Sequence, residues 1–217
     1  MMKAFSNIVD LVVGDSRKPE RKSAPPQVPM LAHYLGYRSY DEGKRIFHQV
    51  RSKGFILELA PLVGANDRVN DIISSLFSDI LLPGTKFSVT NYSSPRVAEK
   101  LQDWALPRFK ASGVFQTLAK HRLDKLRNGA WSTLASDGPF FVRNYRVVMS
   151  VGVSQGSGLS TDDLVTMRDG IVSALESIDV PIRQFEPTDL IRFFDEILAP
   201  STGAGDEVPG YNRFDPI

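Results

Sequence analysis

Between Gly54 and Ala60 the chain alternates Phe55, Leu57 and Leu59 with Ile56, Glu58 and Ala60. A period of two is what an extended strand presents as one strongly apolar face. Ile46 to Val50 reads as a second strand, and Arg51-Ser-Lys-Gly54 between the two carries a glycine able to take the positive φ of a tight turn. Together they predict an antiparallel hairpin that acts as a sheet nucleus, and the remainder of the chain must supply what covers it.

Downstream, Asn66 or Asp67 caps a helix with Val69, Ile72, Ile73, Leu76, Phe77 and Ile80 on one side, ended by Pro83-Gly84. Lys86 to Tyr92 alternates as a strand, so a βαβ unit is expected, its two strands parallel and its crossover right-handed. Pro95, after Ser93 and Ser94, starts a helix through Val97, Leu101 and Trp104, which Pro107 interrupts. A second helix, from about Val114 to Trp131, carries Phe115, Leu118, Leu123 and Leu126, of which Leu118, Leu123 and Leu126 claim one face for packing. Phe141 to Val153 forms the longest strand, and Gln155 to Gly158 a loop. Ser160-Thr-Asp-Asp163 caps a helix with Leu164, Met167, Ile171, Val172, Leu175 and Ile178 as its stripe. Ile182 to Phe185 is a short edge strand, and Thr188 opens a last helix bearing Leu190, Ile191, Phe194, Ile197 and Leu198. This order predicts an α+β fold: a ferredoxin-like βαββαβ sheet with a helical insertion, an extra N-terminal hairpin strand and helices packed on the sheet.

The flanks read differently. Met1 to Val13 places Phe5, Ile8, Val9 and Val12 at helical spacing, and Asp15 to Pro29 is rich in proline and charge. Residues 1–29 therefore read as an amphipathic helix plus linker, 30–199 as the α+β domain, and 200–217 as a mobile tail. The short helix either docks on the domain or attaches to a membrane or membrane partner, helped by Arg17, Lys18, Arg21 and Lys22. No run approaches the ~20 apolar residues of a membrane span. No signal-peptide cleavage pattern follows the apolar N-terminal segment, and cysteine is absent, so a cytoplasmic location is expected. Charge is unevenly divided: twelve acidic against four basic side chains from Ser160 onward, thirteen against twenty-two before it. The two parts are able to attract one another or to address different partners.

Little in the chain suggests catalysis. Hydrolysis of a nucleoside triphosphate needs a glycine-rich loop ending in Gly-Lys-Ser/Thr, whose amides and lysine surround the phosphates while the hydroxyl holds magnesium. Gln155-Gly-Ser-Gly-Leu-Ser-Thr161 has the glycines and hydroxyls but no lysine. His33, His48 and His121 stand far apart, without zinc-ligand spacing. No catalytic, cofactor or metal site is expected in this sequence. A basic run, Lys110 with Lys120, His121, Arg122, Lys125 and Arg127, is flanked by Trp104 and Trp131. Phosphate contacts plus aromatic stacking would make residues 110–127 a nucleic-acid-binding module. A solvated helix face outweighs that reading, and a protein-docking surface built on Lys120, Arg122, Lys125 and Arg127 lies between the two.

The wording of the chain is more particular than its pattern. Tyr37-Arg-Ser-Tyr-Asp-Glu42 leads into Gly54-Phe-Ile-Leu-Glu-Leu-Ala-Pro-Leu-Val-Gly-Ala-Asn-Asp67. There follow Leu81-Leu-Pro-Gly84, Tyr92-Ser-Ser-Pro95, Leu101-Gln-Asp-Trp104, His121-Arg-Leu-Asp-Lys-Leu-Arg-Asn-Gly-Ala130 and Phe140-Phe-Val-Arg-Asn-Tyr-Arg146. In this order and spacing, from about Tyr34 to Val153, the chain resembles the N-terminal domain of the F-type TraC family of conjugation ATPases. The resemblance implies a role in pilus assembly and conjugative DNA transfer, and docking to inner-membrane components of a type IV secretion system. It further implies contact with the protein's own motor domain, self-association, and peripheral attachment at the inner membrane. ATP and magnesium would then belong to a motor domain that follows in the chain, which this sequence ends before. Deleting Met1 to Val13 is expected to leave the melting temperature nearly unchanged while reducing co-sedimentation with vesicles or membrane partners. A large loss of stability would instead make the segment part of the core.

Overall fold

The computed structural model describes residues 35–198 apart from 112 and 137. Expectations for the N-terminal helix, the linker and the tail therefore fall outside the described residues. Among those described, six strands and five helices alternate: β1 (Tyr37–Asp41), β2 (Ile46–Gln49), β3 (Ser52–Leu59), α1 (Asp67–Ser75), β4 (Thr85–Ser94), α2 (Ala98–Phe109), α3 (Val114–Asn128), β5 (Asn144–Ser154), α4 (Thr161–Glu176), β6 (Ile182–Gln184) and α5 (Pro187–Leu198). A π-helical turn, Leu76–Ile80, extends α1. The protein is α+β, with every strand pairing antiparallel.

The sheet order is β1-β2-β3-β5-β4, with β6 also on β3. β3 and β4, the two strands flanking α1, run in the same direction because each is antiparallel to β5, but they do not pair. β5, eleven residues long, separates them and pairs with each along most of its length. From the start of β3 the succession is strand, helix, strand, two helices, strand, helix, strand, as the sequence predicts. Two strands rather than one precede it.

The predicted turn glycine has a different task. The β2–β3 connection is tighter than expected, passing through Val50 and Arg51, and Gly54 lies inside β3, opposite Gly152 of β5. A β-carbon on Gly54 would come within 2.2 Å of the Val151 carbonyl oxygen and 2.8 Å of the Gly152 Cα. Absence of a side chain is what lets the two central strands approach at this point.

Both sheet faces are covered. Phe55, Leu57 and Leu59 of β3 join Met149, Val151 and Val153 of β5 beneath α4, whose Leu164, Met167, Ile171 and Leu175 are buried, and beneath Leu76 and Ile80 of the π turn. Asn66 caps α1, its Oδ1 accepting from the Val69 amide at 2.9 Å. Ser160 and Asp163 form a reciprocal capping box on α4. On the opposite face Ile56, Phe47 and Val148 pack with Phe185, Leu190 and Phe193 under α5. Here the expected stripe is rotated: Leu190, Phe193 and Glu196 point inward, whereas Ile197 and Leu198 are exposed. Phe193 stacks edge-on against Phe185 and Tyr92, with centroids 5.9 Å away in both cases, and Glu196 finds a cation below the helix. Those two contacts set the helix's rotation more strongly than its aliphatic residues do.

Pro107 does not end α2, which continues to Phe109. Gly54→Ala is expected to destabilise the fold by about 1–3 kcal/mol or more in denaturant unfolding, because the obstructing atoms are backbone. Gly152→Ala, where the nearest atom stands 3.3 Å away, should be milder. Equal stability of Gly54→Ala and the parent would remove the close-approach explanation.

Candidate docking surface

Three regions offer themselves for function: a cluster of ions under α5, two clefts, and the helical hairpin formed by α2 and α3. The ion cluster lies between the sheet and α5. Glu58 on β3 stands directly opposite Arg183 of β6 and diagonal to Arg146 of β5. Its carboxylate accepts from Arg146 Nε at 2.5 Å and from Arg183 at 2.6 Å. Arg146 also donates to Glu196 Oε2 at 2.6 Å, and Arg183 to Asp189 at 2.6 Å. The Ser94 hydroxyl donates to the other Glu196 oxygen, and the Arg146 guanidinium lies 5.0 Å from the Phe193 ring centroid.

Burial works to raise the Glu58 carboxyl, but hydrogen bonds and charge from Arg146 and Arg183 outweigh it and hold the group below its ordinary range. Burial likewise works to lower Arg146, and Glu58 and Glu196 reverse it, so the guanidinium stays charged. A cluster of shifted groups is a signal of function only where something can reach it. Here each charge is spent on another within the cluster, Phe193 and Phe185 lie against Arg146 while Arg183 stays 55% exposed, and its effect is to seat α5 on the sheet.

The clefts hold about 350 Å³ each. One is apolar, between Pro61, Val97, Leu101 and Tyr145, with the Asn144 Oδ1 buried beside it without a hydrogen-bond partner. The other is polar, lined by Arg45, Arg168, Asp169 and Gln184, yet Arg168 already donates to Asp169 and to the Lys44 carbonyl. Neither converges on a nucleophile with a base. Among the described residues no three His, Asp or Glu side chains are grouped to hold a metal, and no helix is long and apolar enough to cross a membrane.

The hairpin offers most to a partner. α2 and α3 pack chiefly on each other, through buried Ala105 and Ala119 and half-buried Leu101, Leu123 and Leu126. Small residues at the crossing bring the two helices close. Gly113, at φ 75°, precedes α3 in a backbone conformation suited to glycine. The expected packing face shifts accordingly. Phe115 and Leu118 are not inside: with Val114 they are 70, 63 and 80% exposed. Ala119 is buried instead.

The cations distribute around α3. Lys120 and Arg127 share one side by their spacing of seven, and Arg122 and Lys125 another by their spacing of three. All four are exposed. Arg122 lies over the Trp104 ring, 5.4 Å from its centroid, and Arg108 lies 4.2 Å from it. Trp104 is thus engaged by guanidinium groups, while Trp131 remains exposed. Val114, Leu118, Arg122 and Lys125 fall on one outward strip, apolar at one end and cationic at the other. The other predicted contact residues, Phe5, Ile8, Val9 and Val12, lie outside the described residues. Sequence reasoning found the cations and missed that Val114, Phe115 and Leu118 face outward, because an exposed apolar position at helical spacing looks the same as a buried one.

The two ion-pair classes should separate in stability measurements. Arg146→Ala leaves Glu196 without its guanidinium and Glu58 with Arg183 alone and is expected to lose about 3–5 kcal/mol, whereas Lys44→Ala, whose pair with Asp162 is exposed on both sides, should change stability far less.

Comparison with known proteins follows the same stretch of chain. A family model described as "TraC protein" matches residues 31–217. Protein TraC of Escherichia coli strain K12 is 24% identical over 160 residues, which is 69% of this chain and 18% of that protein. The chain thus spans less than a fifth of the length of this curated relative. With the family model covering nearly all of it, this chain belongs to the TraC family of conjugative type IV secretion.

Proposed function

We propose that this chain is a non-catalytic docking module of a TraC-type ATPase, joining a motor to inner-membrane components of the type IV secretion channel for pilus assembly and conjugative DNA transfer. Family membership supplies the setting. The observation that carries the docking role is the outward surface of α3, where Val114, Phe115 and Leu118 are exposed at one end and Arg122 and Lys125 at the other. A large exposed apolar group with a charged rim is what a protein partner covers.

The absence of catalysis is part of the same reading. The 217 residues contain no Gly-Lys-Ser/Thr sequence. In the loop that most resembles a phosphate cradle, Asp163 accepts from the Ser160 amide at 2.7 Å and from its hydroxyl at 2.8 Å. A carboxylate of the protein itself therefore sits where an anion would bind at the start of α4. ATP and magnesium belong, on this reading, to a motor domain outside the present sequence.

The experiment is capture of reconstituted inner-membrane channel components by the chain and by a Phe115→Glu, Leu118→Glu double variant. The double variant should lose at least about tenfold in affinity, equivalent to about 1.4 kcal/mol, with an unchanged melting temperature. Undiminished docking would reject the hairpin as the contact. ATP hydrolysis by purified 1–217, scaling with protein through successive purification steps, would reject the non-catalytic assignment. Association that instead falls steeply with salt and requires DNA would favour nucleic-acid binding.

A further inference from the structure

The sheet does not treat its edges alike. β1 is five residues long, has a register irregularity between Tyr37 and Ser39, and carries Arg38 and Asp41. β6 has three residues, with Arg183 at its centre. Short length, a bulge and charge are the means by which a sheet edge resists pairing with another chain. β4 is neither short nor bulged, and it is nearly free of charge. It is ten residues long, and pairs with β5 from Thr85 opposite Val153 to Ser94 opposite Asn144 with no slip. It contains no proline and one charged residue, Lys86, near its end. Among the described residues nothing pairs with its outer side.

We propose that β4 is a self-pairing edge: two copies of this chain join their β4 strands antiparallel about a twofold axis at Val89, continuing one sheet into the other. Pairing of this kind requires opposite residues to share a face, so positions of equal parity meet. With the axis at Val89, Val89 faces its own copy, Ser88 faces Thr90, Phe87 faces Asn91, and Lys86 faces Tyr92.

Charge selects a second copy over a foreign strand. Phe87 to Ser94 is uncharged, so two copies meet without like-charge repulsion, and each Lys86 stands beside an aromatic ring. A foreign strand would have no charge along this stretch to recognise. Val89 is 51% exposed although it lies on the face that carries Phe87, and Phe77, stacked on Phe87 at 5.1 Å, is 54% exposed. Val89 would be covered at the axis by its own copy. This surface is separate from the α2–α3 hairpin, so either proposal stands or falls without the other.

The cysteine-free sequence makes the test direct. Full-length 1–217 is followed by light scattering across concentration, alongside Val89→Lys, Val89→Cys and Lys86→Cys. The parent is expected to dimerise. Val89→Lys, which sets two like charges opposite each other at a half-exposed position, should raise the dimer dissociation constant by roughly tenfold or more with its melting temperature retained. Under mild oxidation Val89→Cys should cross-link between copies, and Lys86→Cys should not, since six residues, or roughly 20 Å, separate the two copies of position 86. A parent that stays monomeric throughout, leaving the edge to a foreign strand or to water, would overturn the proposal. So would a dimer indifferent to Val89→Lys, or cross-linking equally efficient at both positions, and the cysteine pair decides the matter should Val89→Lys fail to fold.

Discussion

The contact on which the domain is built is the ladder between β3 and β5. Eight residues of β3 face eight of β5, and at Gly54 the two backbones approach too closely for any side chain. β4 and β6 join the outer sides of this pair, and β2 joins β3 only at its beginning, so each further strand presupposes the central two. The ladder also creates an obligation. Its alternating side chains project apolar groups to both faces, Phe55 and Leu57 one way and Ile56 the other, and neither face is stable unless something packs on it.

The two faces are closed by different physics. Under α4 the closure is aliphatic, with Leu164, Met167, Ile171 and Leu175 meeting the β3 and β5 side chains. Under α5 an aromatic cluster surrounds a chain of ions that crosses from Asp189 through Arg183, Glu58 and Arg146 to Glu196. The uneven division of charge along the sequence takes effect here and nearby, where acidic residues of the last sixty meet basic residues that precede them: Asp162 with Lys44, Asp195 with Arg96, Glu196 with Arg146. Hydrogen-bonded ions under a helix specify one rotation and one register for it, which apolar packing alone specifies less sharply.

What the core does not consume is left for partners. The α2–α3 hairpin spends small residues on its own crossing and turns large apolar ones outward. The far edge of the sheet ends on a strand with its outer hydrogen-bonding groups unpaired by any described strand. These two surfaces are the ones on which the proposed docking and self-pairing rest.

Most elements were legible from periodicity, because their signals are local. The alternation in β3, the stripe of α4, the Ser160–Asp163 box and the Asn66 cap each depend on residues within a few positions of one another. The misreadings of Gly54 and of α3 involve influences from outside the local window. Gly54 looked like a turn because glycine favours turns, while its neighbour across the ladder, Gly152, lies almost a hundred residues away. Phe115 and Leu118 looked buried because helical spacing records which residues share a side, not whether that side meets another element. The amino-acid order by itself determined most of the strands and helices and their succession from β3 onward, since those follow from backbone propensity, capping and side-chain period. Only the tertiary structure decided which strands are neighbours, which side of each helix faces in and which apolar groups stay outside, because these depend on contacts between residues that sequence separation keeps apart.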